Sequence, residues 1–150
     1  MPIAETRRFG PVEYDDSWVV HFPAALPGFE NERSFVLLDQ PGWAPIVFMQ
    51  SLQGAELCFL AAPVGTLDPG YELSVSREDL KRLGLDEEHQ PVPEQNVLCL
   101  ALLCAPENGP LTANLLAPVV VNLQTRIAVQ AVRADSRYSH QHVIGEAACL

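Results

Sequence analysis

His140 and His142, two residues apart, are the nearest thing in this 150-residue chain to a metal-ligating pair. On a strand that spacing turns both imidazoles to one side, and zinc takes imidazole nitrogen readily. A complete site needs further ligands, and Asp135, His21 or a cysteine would have to bring the third. His21 falls in Ser17-Trp18-Val19-Val20-His21-Phe22, on the face opposite Trp18, Val20 and Phe22. A hydrogen-bonded structural histidine is the simpler reading there. The four cysteines, Cys58, Cys99, Cys104 and Cys149, form no CxxC pair and read as small buried hydrophobes of a reducing compartment. Cys99 and Cys104, five apart, face opposite sides of a strand that carries both. Phosphate loops of the GxGxxG and GxxxxGK[ST] kinds are absent, as is a GxSxG elbow. The expectation is a protein with no catalytic set, cofactor or metal. A small metal- or ligand-binding β-barrel enzyme using His21, His140 and His142 is the competing reading.

The elements that would position these residues are short. Thirteen prolines and nine glycines cut the chain into brief apolar runs with tight connections, the pattern of many strands. Strand-like runs are Trp18 to Phe22, Phe35 to Leu38, Ile46 to Met49, Leu57 to Leu60, Val97 to Cys104, Leu115-Leu116, Val119 to Val121 and Ile127 to Val132. Val97 to Cys104 is apolar on both faces, as a central covered strand should be. Thr6 to Tyr14 reads as a hairpin turning at Gly10-Pro11, Asp15-Asp16-Ser17 as the next turn, and Asn122 to Thr125 as a hairpin turn. About nine strands with regular turns predict a mostly β fold. The predicted form is a compact, closed or nearly closed β-barrel-like single domain over residues 1–150.

One segment breaks this pattern. Ser76 can cap a helix from Arg77 to Leu83, with Asp79 at the third helical position, a Val75/Leu80 staple, and Gly84 to stop it. The helix sits in an acidic insertion, residues 68–107. Glu78, Asp79, Glu87 and Glu88 contribute to its charge, and Asp86-Glu87-Glu88 reads as a solvated loop.

Two other segments are candidate surfaces. Phe22-Pro23-Ala24-Ala25-Leu26-Pro27-Gly28-Phe29-Glu30 is apolar and barred by its prolines from regular structure. It either plugs the end of a barrel or presents a rigid apolar surface through Phe22, Leu26, Pro27, Phe29 and Glu30. Asn114-Leu115-Leu116-Ala117-Pro118-Val119-Val120-Val121-Asn122 has an asparagine at each end and a proline within. Pro118 cannot donate to a ladder, which implies an edge, a bulge or two short strands. Asn114, Leu116 and Asn122 are turn-formers or partner contacts.

Nine Lys and Arg against 19 Asp and Glu give a net charge of −10, with a single lysine. That argues against an extensive nucleic-acid surface, which needs clustered cations, and suits a basic protein partner better. The segment Met1 to Arg8 has no apolar core for a secretion signal. The longest uncharged apolar stretch, Val97 to Pro106, is about ten residues, where a membrane helix needs about twenty. The expected location is the cytoplasm, with no membrane contact.

Several segments together resemble the flagellar assembly factor family, FliW. They are Thr6-Arg7-Arg8-Phe9-Gly10, Phe22 to Glu30, Phe35-Val36-Leu37-Leu38, Met49-Gln50-Ser51, Leu80-Lys81-Arg82-Leu83-Gly84-Leu85, Asn114 to Asn122, Thr125-Arg126 and Tyr138-Ser139. The resemblance implies a small cytoplasmic β protein without enzymatic activity. It implies binding of newly made flagellin and of CsrA, the carbon storage regulator, whose block on flagellin translation the family relieves. Where the family has Asp-Pro and an aromatic-rich stretch, this chain has Ala62-Pro63-Val64-Gly65-Thr66-Leu67, and the tail beyond Ser139 also departs. On this resemblance the loop at Phe29 is a candidate seat for an amphipathic flagellin helix. The acidic insertion is the candidate face for the regulator.

Overall fold

The computed structural model describes residues 1–144; Cys149 lies outside them. The chain opens with a hairpin of β1 (Ile3–Thr6) and β2 (Gly10–Glu13). Its turn falls at residues 7–9, earlier than the expected Gly10-Pro11. Thr6 Oγ1 donates to the Gly10 carbonyl at 2.7 Å and accepts from Phe9 N–H at 2.8 Å, which closes the turn before Gly10. Asp15 then caps a 3-10 turn, Asp16–Trp18, through Ser17 N–H. That turn removes Trp18 from the strand predicted to hold it, leaving its side chain 45% exposed.

The large sheet is built from β3 (Val19–His21), β4 (Ser34–Leu38), β5 (Val47–Ser51), β6 (Cys58–Pro63), β7 (Val97–Cys104), β9 (Val119–Asn122) and β10 (Ala128–Gln130). Their spatial order is β10-β9-β7-β6-β5-β4-β3, antiparallel throughout. Beyond its ladder with β9 the far end of β7 pairs with β8 (Thr112–Ala113), and β8 with β11 (His142–Val143). The fold is mostly β, and β7 is central and apolar as predicted.

The closed barrel is not what the chain builds. The edges β3 and β10 share no ladder; they touch at one bridge, His21 with Ile127, where His21 N–H donates to the Arg126 carbonyl at 2.9 Å. Both edge strands are three residues long, which leaves no length for a seam. Beyond His21, Phe22 N–H turns to the Arg33 carbonyl, and the prolines that follow have no N–H to offer.

Three apolar clusters hold this arrangement, the main stabilising contribution in a domain of this size. One, inside the curl of the sheet, joins Val20, Phe22, Phe35, Met49, Leu100, Val119 and Ala128. A second packs Leu80 and Leu83 against β7, β9 and β10 on the other face. The third puts Ala4, Phe9 and Val12 of the opening hairpin on Val36 and Phe48.

Two helices interrupt the strands. α2 (Arg77–Leu83) has the predicted bounds: Ser76 Oγ accepts from Asp79 N–H at 3.1 Å, and Gly84 ends it in the left-handed region at φ 73°. α1 (Val64–Leu67) was not foreseen; it begins at Pro63 without a side-chain cap. Leu115-Leu116 form no strand, because Asn114 Oδ1 accepts from Ala117 N–H and folds them into a turn.

Candidate partner-binding surfaces

The histidines do not assemble. His21 is exposed on β3, its Nδ1 3.2 Å from Ser34 Oγ. His140 lies in a turn and His142 on β11, so the pair does not share a strand. Among the described residues no three His, Cys, Asp or Glu side chains gather as a metal set. Cys99 is buried, and burial pushes its thiol up to about 12. Cys58 is half-buried and also shifted upward by burial, although Arg8 pulls the other way. Cys104 is exposed, against the expectation of a buried thiol, because it ends β7 where cover runs out.

The proline-rich loop divides into an inside and an outside. Phe22 and Leu26 are buried, and Phe22 meets Phe35 edge-on at 5.5 Å. They are core, so direct contact with a partner passes to their neighbours. Pro27 and Glu30 are exposed, and Phe29 is half-buried, edge-on to Phe59 at 5.3 Å. Arg33 pins the loop by donating to the Glu30 and Pro23 carbonyls. Phe29, Glu32, Ala55, Glu56 and Leu57 line an open depression of about 520 Å³.

The asparagine-bounded run is almost wholly interior. Asn122 is 4% exposed; its Nδ2 donates to the Leu83 carbonyl at 2.8 Å, tying α2 to β9, and its Oδ1 accepts from Gln124 N–H at 2.9 Å. Both ends of its amide serve the fold, so Asn122 is no partner contact. Asn114 serves its own turn, and Leu116 is half-buried.

The acidic insertion presents its charge outward. Glu78, Glu87 and Glu88 are exposed and Asp79 is partly covered. Arg82 pairs with Glu78 at 2.7 Å and Asp79 at 3.1 Å, and Arg77 with Glu88 at 2.8 Å. Such exposed pairs add little stability, and with five acids against three bases residues 77–88 keep a net charge of −2.

Aromatics and arginines fasten the start of this insertion to the C-terminal segment. Tyr71 and Tyr138 rings lie 4.4 Å apart, and Tyr71 OH donates to the Leu115 carbonyl at 2.7 Å. Arg133, nearly buried, sits 4.9 Å over the Tyr138 ring, and its guanidinium donates to Asp135 and the Glu72 carbonyl. Hydrogen bonding to Arg133 holds the Asp135 carboxyl below its ordinary value, and Arg137 does the same for Glu72.

Two residues escaped the sequence reading. Glu94 (φ 72°) and Arg126 (φ 64°) hold left-handed backbone without being glycine, and nothing in their residue type signals it.

Fold and surface define a class: a mostly β protein with a rigid apolar rim and an outward acidic face, and with no three-member metal set among its described residues. The chain belongs to the FliW family, whose model, described as "FliW protein", matches residues 3–144. It is 34% identical over 138 residues to the flagellar assembly factor FliW of Desulfitobacterium hafniense strain Y51, covering 92% of this chain and 88% of that one. It is 29% identical to the factor of Bacillus subtilis strain 168, over 98% of this chain and 99% of that one. The crystal structure of a flagellar assembly factor FliW superposes with a TM-score of 0.81, at 27% identity, covering 95% of this chain and 96% of that chain.

Proposed function

We propose that this chain is a non-enzymatic cytoplasmic protein that binds newly made flagellin and antagonises CsrA, coupling flagellin synthesis to assembly. The observation that carries this reading is the FliW family match across residues 3–144. The surfaces support it. Flagellin's amphipathic helices need an apolar seat, and Phe29 offers a half-buried ring beside an open depression. An RNA-binding repressor presents Lys and Arg, and residues 77–88, with five acids against three bases, offer it a net negative surface.

Size-exclusion chromatography with light scattering tests the reading on purified chain, flagellin and CsrA. The expected result is a complex with each partner alone, and release of CsrA when flagellin is added. Independent elution of both partners overturns it.

A further inference from the structure

We propose that a cleft between α1 and the segment before β7 is an anchor for one lysine or arginine side chain of a basic protein partner. It has about 340 Å³, and Pro63, Val64, Pro69, Tyr71, Pro93 and Leu98 form its apolar walls. Three of these are prolines, so the walls are rigid before anything binds. Asp68 and Glu94 are the charged residues lining it, and no cation lines it. Among the described residues neither carboxylate is in an ion pair. Arg133 lies 6.0 Å over the Tyr71 ring but is committed to Asp135.

An apolar slot bearing only negative charge matches a side chain with an aliphatic stem and a cationic head. The stem covers proline and tyrosine, and the head meets the carboxylates. Glu94 strengthens the match: a left-handed backbone disfavours any residue with a Cβ, and glycine or asparagine would relieve it. The inference rests on the proposed function in one respect: CsrA is the basic partner whose side chain would enter.

The test is isothermal titration of purified CsrA into the full chain, its Glu94→Asn and Gly65→Leu variants, and a Glu107→Gln control. Gly65 lines the cleft, and a Cβ there meets nothing within 4 Å, so a larger side chain can start there without a clash at its first carbon. Both cleft variants should bind CsrA about tenfold more weakly, while the control binds normally. Glu94→Asn should meanwhile melt no lower than the parent, because asparagine accepts the left-handed backbone. A purely structural role would lower melting and binding together and would overturn the proposal. Equal CsrA affinity in all four proteins overturns the cleft and leaves the proposed function standing. Failure of the parent itself to bind CsrA overturns both.

Discussion

The loop 22–30 and the run 114–122 carry similar composition, apolar residues punctuated by turn-formers, yet the fold uses them in opposite ways. The loop keeps two side chains, Phe22 and Leu26, inside and leaves the rest half-buried or exposed. The run is drawn inside nearly whole, with Val119, Val120 and Val121 buried in a strand paired on both edges. Backbone donors account for the difference. A buried N–H must find a partner, and β9 finds its partners in β7 and β10. The loop has Pro23 and Pro27 in place of two donors, and its bonds are short local turns such as Phe29 N–H to the Leu26 carbonyl. A segment satisfied by its own turns can lie at the surface. One laddered on both edges and covered on both faces, as β9 is, lies inside.

The largest test removes the loop's inner anchor. Phe22→Ala empties a site packed on Phe35 and should cost about 3–5 kcal/mol in urea denaturation. A loss below about 1 kcal/mol would mean the loop is surface throughout, and the comparison would fail. Next comes Asn122→Ala, which strands the buried Leu83 carbonyl. It should cost about 1–3 kcal/mol and speed amide exchange in α2 before the β-sheet. Unchanged exchange in α2 would show that the asparagine does not tie helix to strand.

How far these roles were legible in sequence follows from the range of the forces involved. α2 was readable to the residue because its cap, staple and stop are local: Ser76, Val75 with Leu80, and Gly84. β7 was readable because its eight apolar residues, which alone would also suit a buried helix, are bounded by Pro91 and Pro93 before and by Pro106 and Asn108-Gly109-Pro110 after. Closure was not readable, since it depends on whether β3 and β10 are long enough to pair across the whole chain. α1 has no cap and only four residues, so its formation depends on Val64 being buried against the core. Among the proposed partner residues, sequence placed Pro27, Phe29 and Glu30 beside Phe22 and Leu26 without separating rim from core. Burial is set by distant strands, which composition does not report.

The third test concerns that rim. Phe29→Ala removes a half-buried ring and should cost about 1–2 kcal/mol of stability. Its effect on flagellin should be larger in proportion: about a tenfold weaker complex by titration, at a temperature where the variant is fully folded. If the folded variant binds flagellin as the parent does, the outward half of the loop is not the seat.

The smallest effect should separate the two segments by pH. The run's Leu115 carbonyl accepts from Tyr71 OH, and burial pushes this hydroxyl up to about 12 from an ordinary 10. The neutral phenol is therefore favoured in the folded chain. Its contribution is complete below the unfolded value and is lost as pH rises from about 10 toward 12. The loop residues Pro23, Pro27 and Phe29 carry no group that titrates there. Melting curves at successive pH values should fall more steeply above pH 10 in the parent than in Tyr71→Phe, although the variant starts lower for want of the hydrogen bond. Parallel curves would mean the tyrosine is solvated and that the run is held by its strands alone. A steeper parent curve would show that the insertion, through Tyr71, is part of what keeps the run inside.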